Sequence, residues 1–294
     1  MSVSDVKSVA FIGLGVMGGP MAGHLAQKGH RVTVYNRSYE KTSAWLKKHA
    51  SFNVNGAGTP AEAARDAEII FCCVGNDHDL RTVTLDENGA FSAMRSGAIF
   101  VDHTTASADI ARELGIKAQK RGVYFLDAPV SGGELGAINA TLTVMVGGDA
   151  SAFERAKPTA LAHSKAFTRV GENGCGQLAK MVNQICVAGL LQALAEGMKF
   201  GSRAGLDMKL VLEIISKGAA QSWQLENRGP TMIDEKFDFG FAVEWMRKDL
   251  GLCLDEAARN GASLPITALI DQFYSDIERI GGQRWDTSSL IKRL

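Results

Sequence analysis

The sequence carries no surplus of charge: 32 lysines and arginines balance 32 aspartates and glutamates over 294 residues. A neutral chain offers no electrostatic case for nucleic acid or an anionic membrane surface as its main partner. It also lacks a disulfide framework. The five cysteines, Cys72, Cys73, Cys175, Cys186 and Cys253, are odd in number, include an adjacent pair and form no C-x-x-C, and six scattered histidines suggest no zinc site. A reducing, cytoplasmic compartment is expected. No run of about eighteen consecutive apolar residues marks a membrane span, and the chain shows no internal repeat, low-complexity tract or long polar linker. With 46% apolar residues it is long and apolar enough for one large or two compact domains with buried cores.

What is present is a succession of strand and helix patterns. "KSVAFIG" is a short apolar run, and Met17 to Lys28 is helical in pattern with Gly29 as its stop. "RVTVYN" then alternates as a second strand, which completes a βαβ unit. Lys7 ahead of an apolar run also fits a secretion signal. Glycines and a proline break that run, however, and a cleaved signal would not need the strand that follows. "AEIIFCCV", "GAIFVD", "VYFLDAPV" and "TLTVMVGG" read as further strands, with Cys72 and Cys73 as small core residues, and Ser107 caps a helix that ends before Gly122. The alternation predicts a mostly parallel sheet with helices on both faces.

The character changes near Gly171. From Cys175 to Ala204 no proline interrupts, apolar residues recur on several faces, and a long helix buried between domains or between subunits is expected. Only helical patterns follow. The fold class is therefore an α/β Rossmann-like N-terminal domain, residues 1–170, joined by a long helix to an all-α C-terminal domain, residues 171–294, for substrate and oligomerisation.

"AFIGLGVMGG" holds Gly13, Gly15 and Gly18 as G-x-G-x-x-G between strand and helix. Gly13 allows the tight turn, Gly15 lets the backbone approach a pyrophosphate, and Gly18 lets helix and strand pack closely. The residues between them, Leu14, Val16 and Met17, would line the same cofactor site, and the helix N-terminus would supply N–H groups to phosphate. At the end of the second strand stand Asn36, Arg37 and Ser38 in place of the carboxylate that holds the ribose of NAD. Asn36 does not repel a phosphate, Arg37 can pair with one and Ser38 can donate to it, so NADP(H) is the expected cofactor, with NAD(H) possible. Arg37 as a merely solvated loop residue is the alternative. Loops after later strands bring Val74, Gly75 and Asn76, then Thr104 and Thr105, toward the cofactor, with ordinary loop chemistry as the alternative for each, and for Asn76 with equal weight.

"DAPVSGG" ends a strand at Ser131, Gly132 and Gly133, where successive N–H groups and a hydroxyl can seat a carboxylate. "GENGCGQLAKMVNQ" opens the long helix. Lys180 lies in its first two turns, with Asn183 and Gln184 at i+3 and i+4 on the same face. A buried lysine has a lowered pKa and can trade protons near neutrality. In "AAQSWQLENR", Trp223 is either a wall of the substrate pocket or a core residue.

Four motifs in order, "FIGLGVMGGPMAGHL", "DAPVSGG", the G-x-G-x-x-x-K of Gly174 to Lys180 and "RKDLGL" at Arg247 to Leu252, resemble the β-hydroxyacid dehydrogenase family over essentially the whole chain. That family includes 3-hydroxyisobutyrate dehydrogenase, tartronate semialdehyde reductase and glyoxylate/succinic semialdehyde reductase. The resemblance implies that Lys180 is the catalytic lysine and that Ser131, Gly132 and Gly133 bind the substrate carboxylate. It implies that Lys248, beside Asp249, serves cofactor and substrate, and that Thr104 lies by the nicotinamide ribose. Family members pair the lysine with an asparagine one helical turn on, so either Asn183 or Gln184 fills that role here. The implied activity is hydride transfer between NADP(H) and a short aldehyde or keto acid, by a homodimer or homotetramer with no metal. Imine reductases of the same architecture tend to carry another residue where Lys180 stands, and decarboxylating sugar-phosphate dehydrogenases are usually much longer. A non-catalytic dinucleotide-binding module would not need the lysine or the carboxylate loop.

Overall fold

The computed structural model describes residues 6–294. Two compact units divide the chain, one ending at Lys180 and the other running Met181–Leu294.

The first unit begins with the expected βαβ: β1 (Ser8–Ile12), α1 (Gly18–Gln27) and β2 (Arg31–Tyr35). It continues through α2 (Tyr39–Lys48), β3 (Val54–Gly56), α3 (Pro60–Ala64), β4 (Ile69–Cys72), α4 (Asp77–Leu85), β5 (Ile99–Asp102), α5 (Ala108–Lys120) and β6 (Tyr124–Asp127). These strands lie in the order β3-β2-β1-β4-β5-β6, all parallel. Alternate residues of a strand face opposite sides. Val9 and Phe11 of β1 thus join a core with Met21 and Leu25 of α1, while Ala10 and Ile12 join another with Leu80 of α4 and Ile110 of α5. Both faces are covered, which is why the strands read as unbroken apolar runs.

Beyond β6 the pattern departs from the sequence reading. "VYFLDAPV" is two strands, because Pro129 has no N–H for the ladder. β6 stops at Asp127, and β7 (Val130–Ser131) starts afresh, antiparallel to β8 (Leu142–Gly148), after which α6 (Gly133–Ile138) separates them in sequence. β8 is antiparallel to β6 as well. α7 (Ala150–Ala160) then leads to β9 (Ser164–Gly171), which pairs parallel with β8 and went unread because Lys165, Thr168 and Val170 are exposed and break any apolar run. Side chains cap the helix N-termini where the sequence supplies them: Thr59, Asn76, Ser107 and Asp149 each accept from a backbone N–H two or three residues on.

α8 (Cys175–Arg203) is the long helix, and α9 (Met208–Ile215), α10 (Trp223–Ile233), α11 (Val243–Asn260) and α12 (Pro265–Arg279) follow it. Their core gathers Ala188, Leu191, Ala195 and Met198 of α8 with Leu225, Met246, Leu250, Ile270 and Tyr274. Within the single chain, its core residues recur at helical spacing on one face only, while Val182, Cys186, Leu190 and Phe200 form an exposed row on the other. By length and composition α8 could cross a membrane, with a mean hydropathy of 1.4. Its buried face nevertheless packs on the other helices of the second unit.

Candidate active site

The glycine turn after β1 divides its labour by geometry. Gly13 has φ +95°, and a Cβ there would stand 2.2 Å from the carbonyl oxygen of Cys73. A Cβ on Gly18 would stand 1.9 Å from the carbonyl oxygen of Gly13. Gly15 is different: it is exposed, and a Cβ there would meet nothing within 4 Å. Two glycines are thus demanded by packing, and the third leaves a bare backbone facing open space. Val16 is exposed beside it, Leu14 is buried, and Met17 packs on the core as the N-cap of α1 without a side-chain capping bond. The first N–H groups of α1 therefore lack the side-chain acceptor that α4, α5 and α7 have, as a phosphate seat requires. A dinucleotide pyrophosphate fits this turn.

Asn36 ties the turn to the end of β2. Leu14 N donates to Asn36 Oδ1 at 2.9 Å, and Asn36 Nδ2 donates to Ser38 O at 3.1 Å. Both halves of the amide are engaged with backbone, so Asn36 shapes the site rather than reaching outward. Arg37 is 89% exposed at its side chain, with one long ion pair to Asp79 at 3.5 Å. Ser38 Oγ donates to Glu40 at 2.7 Å. Asn76, expected near the cofactor, accepts from Asp79 N through its side-chain oxygen as the cap of α4.

Thr104 is buried after β5. Its hydroxyl accepts from Val74 N at 3.0 Å, its N–H donates to Asp102 Oδ1 at 3.0 Å, and its carbonyl accepts from Gln177 Nε2 at 2.8 Å. The same Gln177 side chain accepts from Ala106 N at 3.1 Å. Gly75 lies half-buried in the loop after Val74. Asp127, at the end of β6, accepts from Gly174 N at 2.8 Å and Gln177 N at 3.0 Å, which secures the start of α8. Burial pushes the Asp127 carboxyl up to about 6 and the Asp102 carboxyl up to about 7, while the Gly174 and Gln177 N–H groups beside Asp127 and the Thr104 hydroxyl and N–H beside Asp102 pull each back down. Asp102 and Asp127 are in register on neighbouring strands.

Ser131 ends β7 half-buried, and Gly132 and Gly133 follow with φ of 131° and 61°. A Cβ on Gly133 would meet nothing within 4 Å. Just upstream, the carbonyl of Ala128 accepts from His103 Nδ1 at 2.7 Å. A carbonyl only accepts, so His103 carries its proton on Nδ1 and its Nε2 is the acceptor for His163 Nε2, 3.1 Å away. Burial drives His103 down to about 4 and His163 well below its ordinary value, so both are neutral. Lys180 lies on α8 one turn after Gln177 and is 7% exposed. The amine does not stand out in solvent.

In the helical unit, Asn183 Nδ2 donates to Gln184 Oε1 at 2.8 Å, and Gln184 Nε2 donates to Asp249 Oδ2 at 2.6 Å. Lys248 Nζ lies 3.1 Å from Asp249 Oδ1. Gln184 and Asp249 are both buried and bound to each other. Trp223 starts α10, is 46% exposed and lies under Arg228, whose guanidinium is 4.9 Å from its ring, so it is not a core residue. Arg228 in turn pairs with buried Asp286 at 3.1 Å. Sequence reading missed Gln177, Asp127, Asp102 and the His103–His163 pair. The one local signal was an aspartate at the carboxyl end of an apolar strand, present at both Asp102 and Asp127. Among the described residues no group of three or more His, Cys, Asp or Glu side chains could hold a metal ion.

Comparison with known proteins covers nearly the whole chain. Residues 8–171 match the family model of the NAD-binding domain of 6-phosphogluconate dehydrogenase. Residues 174–294 match that described as NAD-binding of NADP-dependent 3-hydroxyisobutyrate dehydrogenase. An "uncharacterized oxidoreductase" of Shewanella frigidimarina is 57% identical over 98% of each chain. The 2-hydroxy-3-oxopropionate reductase of Escherichia coli is 37% identical over 97% of this chain and 96% of its own. Among solved structures, 3-hydroxyisobutyrate dehydrogenase of Mycobacterium tuberculosis with L-serine superposes with a TM-score of 0.87 at 30% identity, covering 98% of this chain and 99% of that one.

Proposed function

The chain belongs to the β-hydroxyacid dehydrogenase family and is an NAD(P)-dependent dehydrogenase, and on that premise we propose that it interconverts a short aldehyde or keto acid with its hydroxy acid, prefers NADP(H), and uses Lys180 to move the proton. The substrate class is a semialdehyde, glyoxylate or a similar carboxylate.

NADPH, when bound, supplies the hydride. Gly13 to Gly18 hold the pyrophosphate, with Gly15 giving way to it and the start of α1 turned toward its charge. Arg37 pairs with the 2′-phosphate, which no acidic side chain at position 36 repels. Val74, Gly75 and Thr104 line the ring end. Ser131, Gly132 and Gly133 seat the substrate carboxylate and so fix the carbonyl. Lys180, as ammonium, donates its proton to the carbonyl oxygen as negative charge grows there, and as neutral amine it takes the proton back in oxidation. Asn183, rather than Gln184, is the assisting amide. The observation that carries this reading is the buried position of Lys180 on α8, in the same unit as the open Gly15 turn and the Ser131–Gly133 loop.

The row Val182, Cys186, Leu190 and Phe200 supports a second copy of the chain as its cover, in a homodimer or homotetramer. Five free thiols suit a reducing compartment such as the cytoplasm.

The test is NADPH consumption with glyoxylate, succinic semialdehyde and tartronate semialdehyde, for the parent and for Lys180→Ala. Turnover with at least one acid is expected, together with a loss of about 10²–10⁴-fold in kcat on removing the amine and little change in NADPH affinity. Binding of NADPH with no turnover of any acid would leave a sensor module instead.

A further inference from the structure

We propose that Gln177 is a positioning residue for the proton donor: its side-chain amide locks the turn of α8 that precedes Lys180 to the Thr104–Ala106 backbone. The proposal rests on Lys180 being that donor.

Gln177 is 1% exposed and sits three residues, close to one helical turn, before Lys180. The loop between β5 and α5 is buried at Thr104 and Ala106, yet lies outside any strand. Its backbone groups therefore need partners from elsewhere. Gln177 supplies both: Oε1 accepts from Ala106 N at 3.1 Å and Nε2 donates to Thr104 O at 2.8 Å. The side chain imitates a neighbouring peptide unit, and only a primary amide of this length both donates and accepts in that way.

The clamp is held from behind. Gln177 N donates to Asp127 Oδ2, and Gly174 N to Asp127 Oδ1, so the first turn of α8 is pinned at both backbone and side chain. On the other side Thr104 is fixed by Val74 N and Asp102. These bonds set the rotation and height of the first turns of α8 against the loop proposed to line the ring end of the cofactor. Sliding α8 by about 1 Å would break the amide clamp and would carry Lys180 with it, a displacement of the size that costs about 10²-fold in rate. A residue needed only to fill space would not have to be an amide.

The experiment compares Gln177→Met, which keeps the volume and loses both bonds, with Gln177→Glu, which keeps the acceptor and donates only when protonated. Each is made in the parent and in Lys180→Ala. The substrate is whichever acid of the panel the parent turns over, and NADPH binding is measured separately by fluorescence. Expected for Gln177→Met is a fall of about 10–100-fold in kcat, NADPH affinity within about threefold of the parent, and no further loss in the Lys180→Ala background, because the step it serves is already gone. The ratio of Gln177→Glu to parent kcat at the same pH should climb as pH falls from about 8 to 5. The titratable groups beside the new carboxyl are Asp127, Asp102 and, one helical turn on, Lys180. If Gln177→Met does not fold, the Gln177→Glu profile decides alone.

An unimpaired Gln177→Met, an equal loss in both backgrounds, a loss confined to NADPH affinity, or a flat Gln177→Glu ratio overturns the positioning role. Lys180→Ala with undiminished turnover overturns the reading of Lys180 itself.

Discussion

Gln184 donates to the carboxylate of Asp249 across 2.6 Å, with both side chains buried in the helical unit. This bond commits Gln184 to the helical core, and the proposal that Asn183 assists Lys180 is tested by comparing the two amides. Gln184→Leu removes a hydrogen bond to a buried charge and should lower the unfolding free energy by about 1.5–3 kcal/mol in urea titration. Asn183→Ala spares that bond. It should leave the unfolding midpoint near the parent value and lower kcat, and equal destabilisation by both changes would contradict this division.

The glycine turn separates folding from binding. Gly18→Ala drives a Cβ to 1.9 Å from a backbone oxygen that cannot move aside, so little folded protein is expected from expression. Gly15→Ala meets only open space and should keep its melting temperature within a degree or two. Its dissociation constant for NADPH should nevertheless rise at least about tenfold, since the new methyl group stands where the phosphates must approach.

Arg37→Ala reads cofactor choice. Losing a charge-assisted contact to the 2′-phosphate should raise KM for NADPH at least about tenfold more than KM for NADH. Equal changes for the two cofactors would return Arg37 to the role of a solvated arginine.

Asp102 makes stability depend on pH. Its carboxyl titrates at about 7 in the fold against an ordinary value of 3.8, because burial disfavours the charge. The folded state therefore binds the proton more tightly. The stabilising contribution is complete below about 4 and is lost as pH rises through about 7. Asp102→Asn keeps the acceptor for Thr104 N and removes the titration, so parent minus variant stability should fall by up to about 1.4 kcal/mol per pH unit across that window. His103 acts in the opposite sense. Lowered from 6.5 to about 4, it contributes stability above 6.5 that is lost as pH falls through 4. Because both proteins contain His103, the difference between them isolates Asp102. A difference that stays level between pH 4 and 7 would show Asp102 ionised in the fold.

The βαβ start, the glycine turn and the long helix were legible because each is a local pattern: an apolar run, three spaced glycines, a proline-free stretch. The clamp was not, because Gln177 meets Thr104 across 73 positions and Asp127 across 50, and nothing in the intervening residues announces either meeting. The histidine pair spans 60. β9 buries only Ser164 and Phe167 fully and so gives no continuous apolar run. Which face of α8 packs within the chain was not legible from counting apolar residues. Its core face and its exposed face are both apolar, and composition does not tell them apart.

A row of hydrocarbon left wet along α8 is never indifferent to its surroundings. It recruits either its own kind or the nearest greasy surface, be it plastic, detergent or a denatured neighbour. A second copy of the chain covering this row, as proposed, would be released by dilution or mild surfactant, and Cys186, exposed within the row of the single chain, would then gain reactivity toward alkylating reagents.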